Sequence, residues 1–269
     1  MKNMSRRYNS VLSIAGSDSG GCAGIQADIK SISANGAYAA TVITATTAQN
    51  TQGVSDIHPI PVPHIQKQLE AVLSDIEFGA VKIGMLHSSE VIDTVKEMLA
   101  SYRVDKIILD PVMVATSGDM LITDEAIVSL KKFISNVYLV TPNIPEAEIL
   151  LGQKILLENM KDAAFKISEQ YNVSVLLKGG HLEQSDVLVD ILCVKESKKI
   201  IEIKNKVIAT KNTHGTGCSL SSSIAAFISL GFGLEEATLK ACHYIHKAIE
   251  SGKDKVLGKG NGPINHFLN

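Results

Sequence analysis

The stretch KNTHGTGCSLSSSIAAF, residues 211–227, sets a cysteine, Cys218, directly after a Gly-Thr-Gly turn and on the first turn of a helical pattern. Glycines at 215 and 217 let the backbone turn sharply and approach a ligand closely. The helix behind them points its unpaired N–H groups at that ligand. An anion suits such a place, and the positive end of the helix dipole favours a thiolate, drawing the Cys218 pKa towards neutrality. Taken alone, the stretch is equally a helix end packed with a small residue. A second group lies in TPNIPEAE, 141–148, where Asn143 and Glu146 are three apart at a strand-to-helix turn. Magnesium takes oxygen ligands and keeps several waters, so such a pair near a triphosphate could hold it. The alternative is a plain helix start, with Pro145 opening the helix and Glu146 favouring the dipole. Asp110 closes an apolar run, where a carboxylate needs a partner, and Lys178 closes another beside two glycines.

The elements that must position these residues alternate along the chain. VLSIAG (11–16), TVITATTAQ (41–49), AVKIGML (80–86), DKIILDP (105–111), VYLVTPN (137–143) and SVLLKGG (174–180) read as strands, rich in Val and Ile and closed by Gly, Pro or Asn. Helical patterns at 23–34, 62–75, 89–102, 123–135, 145–151 and 160–172 lie between them. This β-α order predicts a three-layer α/β/α sandwich around a mostly parallel sheet. VLVDILCV (187–194) and KKIIEIKN (198–205) predict a short antiparallel pair at the sheet edge. The last third is helical, with Leu220, Ile224, Phe227 and Gly231 on one face of the Cys218 helix and Ala237, Ala241, Ile245 and Ala248 on one face of the next. In such sheets ligands gather where the carboxyl ends of strands meet helix N-termini, and the unusual residues cluster in those loops.

Composition narrows the function classes. The 269 residues are 45% hydrophobic and 20% charged, with a net charge of −2. This is the make-up of a globular protein, read here as a single domain over 1–269, with no block of charge to advertise nucleic acid or a membrane surface. Cys22, Cys193, Cys218 and Cys242 are scattered without metal-type spacing, which fits a reduced cytoplasm. VLSIAG is too short for a signal-peptide core. GSDSGGCAGIQAD (16–28) lacks both the Walker spacing and the dinucleotide fingerprint, which excludes a dinucleotide oxidoreductase.

AGIQADIK (23–30), VITATTAQNTQGV (42–54), KIGML (82–86), DPVMVATSGD (110–119), TPNIPEAE (141–148), LLKGGH (176–181) and KNTHGTGCSLS (211–221) occur in order. Together they resemble the ribokinase-like kinases, and among them the hydroxymethylpyrimidine and phosphomethylpyrimidine kinases of thiamin synthesis. The resemblance implies a ribokinase-like fold and ATP-dependent phosphorylation of 4-amino-5-hydroxymethyl-2-methylpyrimidine and of its monophosphate. ATP and Mg2+ are the implied cofactors, and a homodimer the implied assembly. Most ribokinase-like enzymes carry an aspartate base after the last glycine, whereas the pyrimidine kinases and a related group of pyridoxine-type kinases carry cysteine. The resemblance thus makes Cys218 the base and Gly215, Thr216, Gly217 and Cys218 an anion hole for the transferring phosphoryl group. It assigns the substrate ring to Gly16, Asp28, Gln49, Met85 and Val112, ATP to Lys178 and Asn143, and the metal to Glu146 and Asp110. The Gln49 amide both donates and accepts, as an aminopyrimidine edge requires, and Met85 offers a thioether to the ring, or simply fills the core. His214 has no assigned role. Cys22 stands where relatives commonly have glycine, a strained choice if that position needs a positive φ. A pyridoxine or pyridoxal kinase, and a non-catalytic pyrimidine sensor, are the competing readings.

Overall fold

The computed structural model describes residues 7–113, 122–180 and 186–268. The motif DPVMVATSGD beyond Met113, and His181 at the end of LLKGGH, lie outside them. In chain order the elements are β1 (Ser10–Asp18), α1 (Gly24–Ala34), β2 (Tyr38–Asn50), β3 (Gly53–Pro59), α2 (Val62–Leu73), β4 (Ala80–Ile83), α3 (Ser89–Ser101), β5 (Ile107–Leu109) and α4 (Asp124–Ile134). There follow β6 (Leu139–Val140), α5 (Ile144–Leu151), α6 (Met160–Tyr171), β7 (Ser174–Leu177), β8 (Val187–Val194), β9 (Lys199–Lys206), α7 (Thr216–Ser229) and α8 (Leu234–Gly252). The sheet order is β3-β2-β1-β4-β5-β6-β7-β8-β9. The six strands from β2 to β7 run parallel, while β3 at one edge and β8 and β9 at the other run antiparallel.

The central strands are apolar on both faces because helices cover both. β4 and β7 are buried at every position, as expected of strands sandwiched on two sides. Alternate side chains feed two separate cores, since successive strand residues point to opposite faces. Leu12, Ile14, Val81, Ile83, Leu109 and Val175 pack with residues of α2, α3, α4 and α6. Val11, Ile108, Leu139 and Leu176 pack with α1, α7 and α8 through Ile32, Ile224, Ala241 and Ile245. Two details depart from the sequence reading. β3 was not anticipated, because GVSDIHP is an exposed edge strand whose polar residues hide any period. Gly231 lies beyond the end of α7 with φ of 93°, so it turns the chain after the helix and does not face the core with Leu220 and Ile224. No helix among the described residues is long and apolar enough to cross a membrane.

Candidate active site

A cavity of about 300 Å³ opens at the carboxyl ends of the strands, and it is lined by every expected catalytic, anion-binding, substrate, nucleotide and metal residue except Asp28. The strand register does this. Gly84 donates its N–H to Ile14 at 2.9 Å, Asp110 to Ile83 at 2.9 Å, Thr141 to Leu109 at 2.9 Å and Lys178 to Pro142 at 2.9 Å, so the ends of β1, β4, β5, β6 and β7 stand side by side. Residues that leave neighbouring strands at one level must meet there.

At the mouth of α7, Gly215 takes φ of 80°, and a Cβ on it would collide with the carbonyl oxygen of Cys22. Glycine is required there on both counts. The first helical turn has no preceding carbonyls in its own helix, which leaves the Gly215, Gly217 and Cys218 N–H groups for a ligand. Thr216 departs from the expected set of four: its N–H is spent on the Thr213 carbonyl at 3.2 Å and its hydroxyl on the same oxygen at 2.7 Å. The thiol also departs from expectation. Burial pushes Cys218 up to about 11, with Lys82 opposing, the Asp28 and Asp110 charges adding, and a hydrogen bond from the Gly24 backbone opposing again. Loss of solvent outweighs the Lys82 charge and the Gly24 N–H at the start of α1. The concern over Cys22 is answered by its neighbour: Gly21 carries the positive φ, of 78°, and Cys22 does not. Cys22 instead donates its N–H to Asp18 Oδ2 at 2.9 Å, as Ala23 does at 2.8 Å, while Gly20 donates to Oδ1 at 2.8 Å. Asp18, which the sequence reading does not single out, thus shapes the first glycine-rich loop.

Beneath Gly217 lie Lys178 and Asp110, paired at 2.8 Å; a Cβ at 217 would come within 3.4 Å of the ammonium. Asp110 also accepts from the Thr141 hydroxyl at 3.2 Å. Asn143 and Glu146 form a reciprocal cap at the start of α5, with Asn143 N–H to Glu146 Oε2 at 2.8 Å and Glu146 N–H to Asn143 Oδ1 at 2.9 Å. The helix-start reading of the pair therefore holds, and both residues also line the cavity. Burial pushes Glu146 up to about 7, Lys178 opposing and Asp110 adding. Once ionised, Glu146 adds a second carboxylate beside the Lys178 ammonium, and that pair of oxygen donors fits a hard cation sharing its shell with water and phosphate.

The far end of the cavity belongs to Gln49. Its Oε1 lies 3.0 Å from the Thr47 hydroxyl and its Nε2 lies 3.1 Å from His214 Nε2. Met85 faces Gly16 so closely that a Cβ there would stand 3.0 Å from its methyl carbon. Asp28 stands behind the wall, not on it. Its carboxylate takes Lys82 on both oxygens at 2.9 Å, Ser13 at 2.5 Å and Ser222 at 2.7 Å. Lys82 is the residue at the cavity. Burial works against its charge, yet Asp28, Cys218 and Asp110 hold its pKa above the ordinary lysine value. A lysine inside the apolar strand AVKI was the available signal, since such a charge needs a buried partner.

Residues 214–218 therefore run from Gln49 at one end of the cavity to Lys178 at the other, with the thiol among them. The chain is 47% identical over 261 residues to the thiamine biosynthesis bifunctional protein ThiED of Geobacter sulfurreducens, covering 96% of this chain but only about half, 52%, of that protein. It is 39% identical to the hydroxymethylpyrimidine/phosphomethylpyrimidine kinase of Bacillus subtilis, covering 96% of this chain and 94% of the relative. Among solved structures, an ADP complex of Bacillus subtilis pyridoxal kinase superposes with a TM-score of 0.88 at 29% identity, over 97% of this chain and 98% of that one. Residues 18–265, the span from Asp18 through the start of α7 to the segment after α8, match the phosphomethylpyrimidine kinase family, and the chain belongs to it.

Proposed function

We propose that the chain transfers the γ-phosphoryl group of ATP to the hydroxymethyl group of 4-amino-5-hydroxymethyl-2-methylpyrimidine, and that the same site phosphorylates the resulting monophosphate. One observation carries this reading: a single cavity holds an amide suited to an aminopyrimidine edge, a thiol on an anion-binding helix start, and the Lys178, Asp110 and Glu146 cluster. Phosphoryl transfer demands positioning, charge neutralisation and removal of the alcohol proton. Gln49 and Met85 orient the ring. The N–H groups of Gly215, Gly217 and Cys218, with Lys178, face the charge on the transferring oxygens. Cys218 takes the hydroxyl proton. Glu146 and Asp110 would hold magnesium, directly or through its waters, and the ion would supply charge neutralisation between the phosphates. Asn143 is placed beside the nucleotide.

The likeness to pyridoxal kinase favours a second reading, phosphorylation of a pyridine alcohol at the same site. A coupled assay with ATP and a panel of hydroxymethylpyrimidine, its phosphate, pyridoxine and pyridoxal separates the two. The expected result is a higher kcat/KM for both pyrimidines. A preference for pyridoxal would install the second reading, and binding of the pyrimidine without turnover would make the chain a sensor. The proposed base must be a free thiol, which suits a reduced cytoplasm, and the proposed homodimer is checked by sedimentation.

A further inference from the structure

We infer that His214 determines specificity: by accepting a hydrogen bond from the Gln49 side chain it fixes which way round the amide presents its donor and acceptor, and so selects a 4-aminopyrimidine over its 4-oxo counterpart. The inference rests on the proposed role of Gln49 in facing the substrate ring.

A primary amide has two acceptor lone pairs on oxygen and two N–H donors on nitrogen. Here Thr47 lies 3.0 Å from Gln49 Oε1 and His214 Nε2 lies 3.1 Å from Gln49 Nε2, which occupies one of each. One acceptor and one donor remain for a ligand in the cavity that Gln49 and His214 both line. An aminopyrimidine answers with an accepting ring nitrogen and a donating amino group. Rotating the amide by half a turn reverses the order, and the matching edge becomes a ring N–H beside a carbonyl oxygen, which is the 4-oxo compound.

Thr47 does not decide between the two. Its hydroxyl can donate to Gln49 Oε1, or it can donate to the Ser17 carbonyl, 3.1 Å away, and accept from the amide nitrogen. His214 does decide, because a bare Nε2 accepts from the amide nitrogen whereas a protonated Nε2 calls for the amide oxygen. The ring is set from behind. The Asn261 backbone beside the ring favours a proton on it, and with Nε2 facing Gln49 that proton belongs on Nδ1. The same segment holds the main chain, since His214 N–H donates to Gly262 at 3.1 Å and His214 pairs with Pro263 as an isolated bridge. Burial keeps the imidazole neutral, with the charge of Asp18 opposing.

The test measures dissociation constants for the aminopyrimidine alcohol and its 4-oxo counterpart by calorimetry, with ATP affinity as a control, on the parent, His214→Gln, His214→Leu and Gln49→Leu. The parent should prefer the amino compound. His214→Gln, whose side-chain oxygen can accept in place of Nε2, should keep most of that preference. His214→Leu should lower the ratio at least about tenfold, the scale of discrimination by one misplaced hydrogen-bond pair, without weakening ATP. A ratio unchanged in His214→Leu overturns the inference. An unchanged affinity for the aminopyrimidine in Gln49→Leu overturns the role of Gln49 itself, a distinct result. Should the leucine variant not fold, the ring ¹⁵N shifts of the parent decide: His214 protonated at Nδ1 alone supports the assignment, and a proton on Nε2 overturns it.

Discussion

Cys218 shows how opposing local effects decide a residue's chemistry. The Lys82 ammonium and the Gly24 N–H at the start of α1 favour the thiolate, but burial pushes the thiol up to about 11. A group raised this far remains protonated at neutral pH, so its availability as a base grows with pH. Alkylation of Cys218 by iodoacetamide should accordingly still climb about tenfold per pH unit at pH 9, where an ordinary cysteine has begun to level off. A plateau near pH 8 would show that the helix ends dominate after all. Cys218→Ser should lower kcat by about 10²–10⁴-fold with little change in ATP affinity, the usual share of positioned acid–base catalysis. A serine variant with the parent's rate would return Cys218 to packing. Glu146 supplies a companion test. Glu146→Gln keeps the shape of the α5 cap but removes charge from the cluster around Lys178, so it should raise the Mg2+ concentration needed for half-maximal rate and lower kcat. Identical Mg2+ titrations would confine Glu146 to starting the helix.

At the scale of elements, the site is two glycine-rich loops locked together at the N-termini of α1 and α7. Gly215→Ala must force a side chain into a left-handed backbone and against the Cys22 carbonyl, so it should cost at least about 1–3 kcal/mol and weaken ATP binding as the loops part. Cys22→Ala should leave ATP binding intact and cost less stability, since Cys22 takes an ordinary φ and gives up only its buried thiol; chemical denaturation with nucleotide titration reads both. The lock also marks what the sequence made legible. The parallel strands and covering helices could be read because runs such as IIL and VLL are apolar on both faces, and the loops carrying Asp110, Asn143 and Lys178 each followed a buried strand. β3 could not, because an exposed edge strand needs no apolar face. Asp28 belongs to the AGIQADIK motif, yet no local pattern says whether a carboxylate faces the cavity or supports Lys82 from behind, 54 residues on. The Gln49–His214 contact joins residues 165 apart, and spacing along a chain carries nothing about such a pair. Removing Lys82 would leave Asp28 buried without its counter-charge, so Lys82→Met should be strongly destabilising, by about 3–5 kcal/mol, and Lys82→Met with Asp28→Asn less so. Equal losses in the single and double variants would deny the pair its role.

For the whole molecule, the segment after α8 packs against the start of α7, and one buried histidine ties that packing to pH. His266 is 4% exposed, its Nε2 lies 2.9 Å from the Ser219 hydroxyl beside Cys218, and its carbonyl accepts from Tyr244 at 2.8 Å. Burial, with the Lys30 charge adding, lowers its pKa from 6.5 to about 4. A base depressed in the folded state contributes stability that is fully present above its unfolded pKa. That contribution is lost as pH falls from 6.5 through about 4, and a shift of this size is worth roughly 3 kcal/mol. Asp190 acts in the opposite sense. Burial raises it from 3.8 to about 6 despite the Gly179 N–H at 2.9 Å, so its contribution is present below 3.8 and lost as pH rises through about 6. Because the two windows overlap, the net curve of the parent does not isolate either group, but paired variants do. His266→Gln keeps a neutral polar partner for Ser219 and removes the titration, so its Tm should fall less than the parent's between pH 6.5 and 4. Asp190→Asn keeps an acceptor for Gly179 and removes a desolvated charge, so relative to the parent it should gain stability between pH 4 and 6 and hold that gain above. Parallel parent and His266→Gln curves across the acid window would mean that His266 charges without disturbing the fold. The segment after α8 would then be held by its backbone contacts to Thr51 and His214 and not by the buried imidazole.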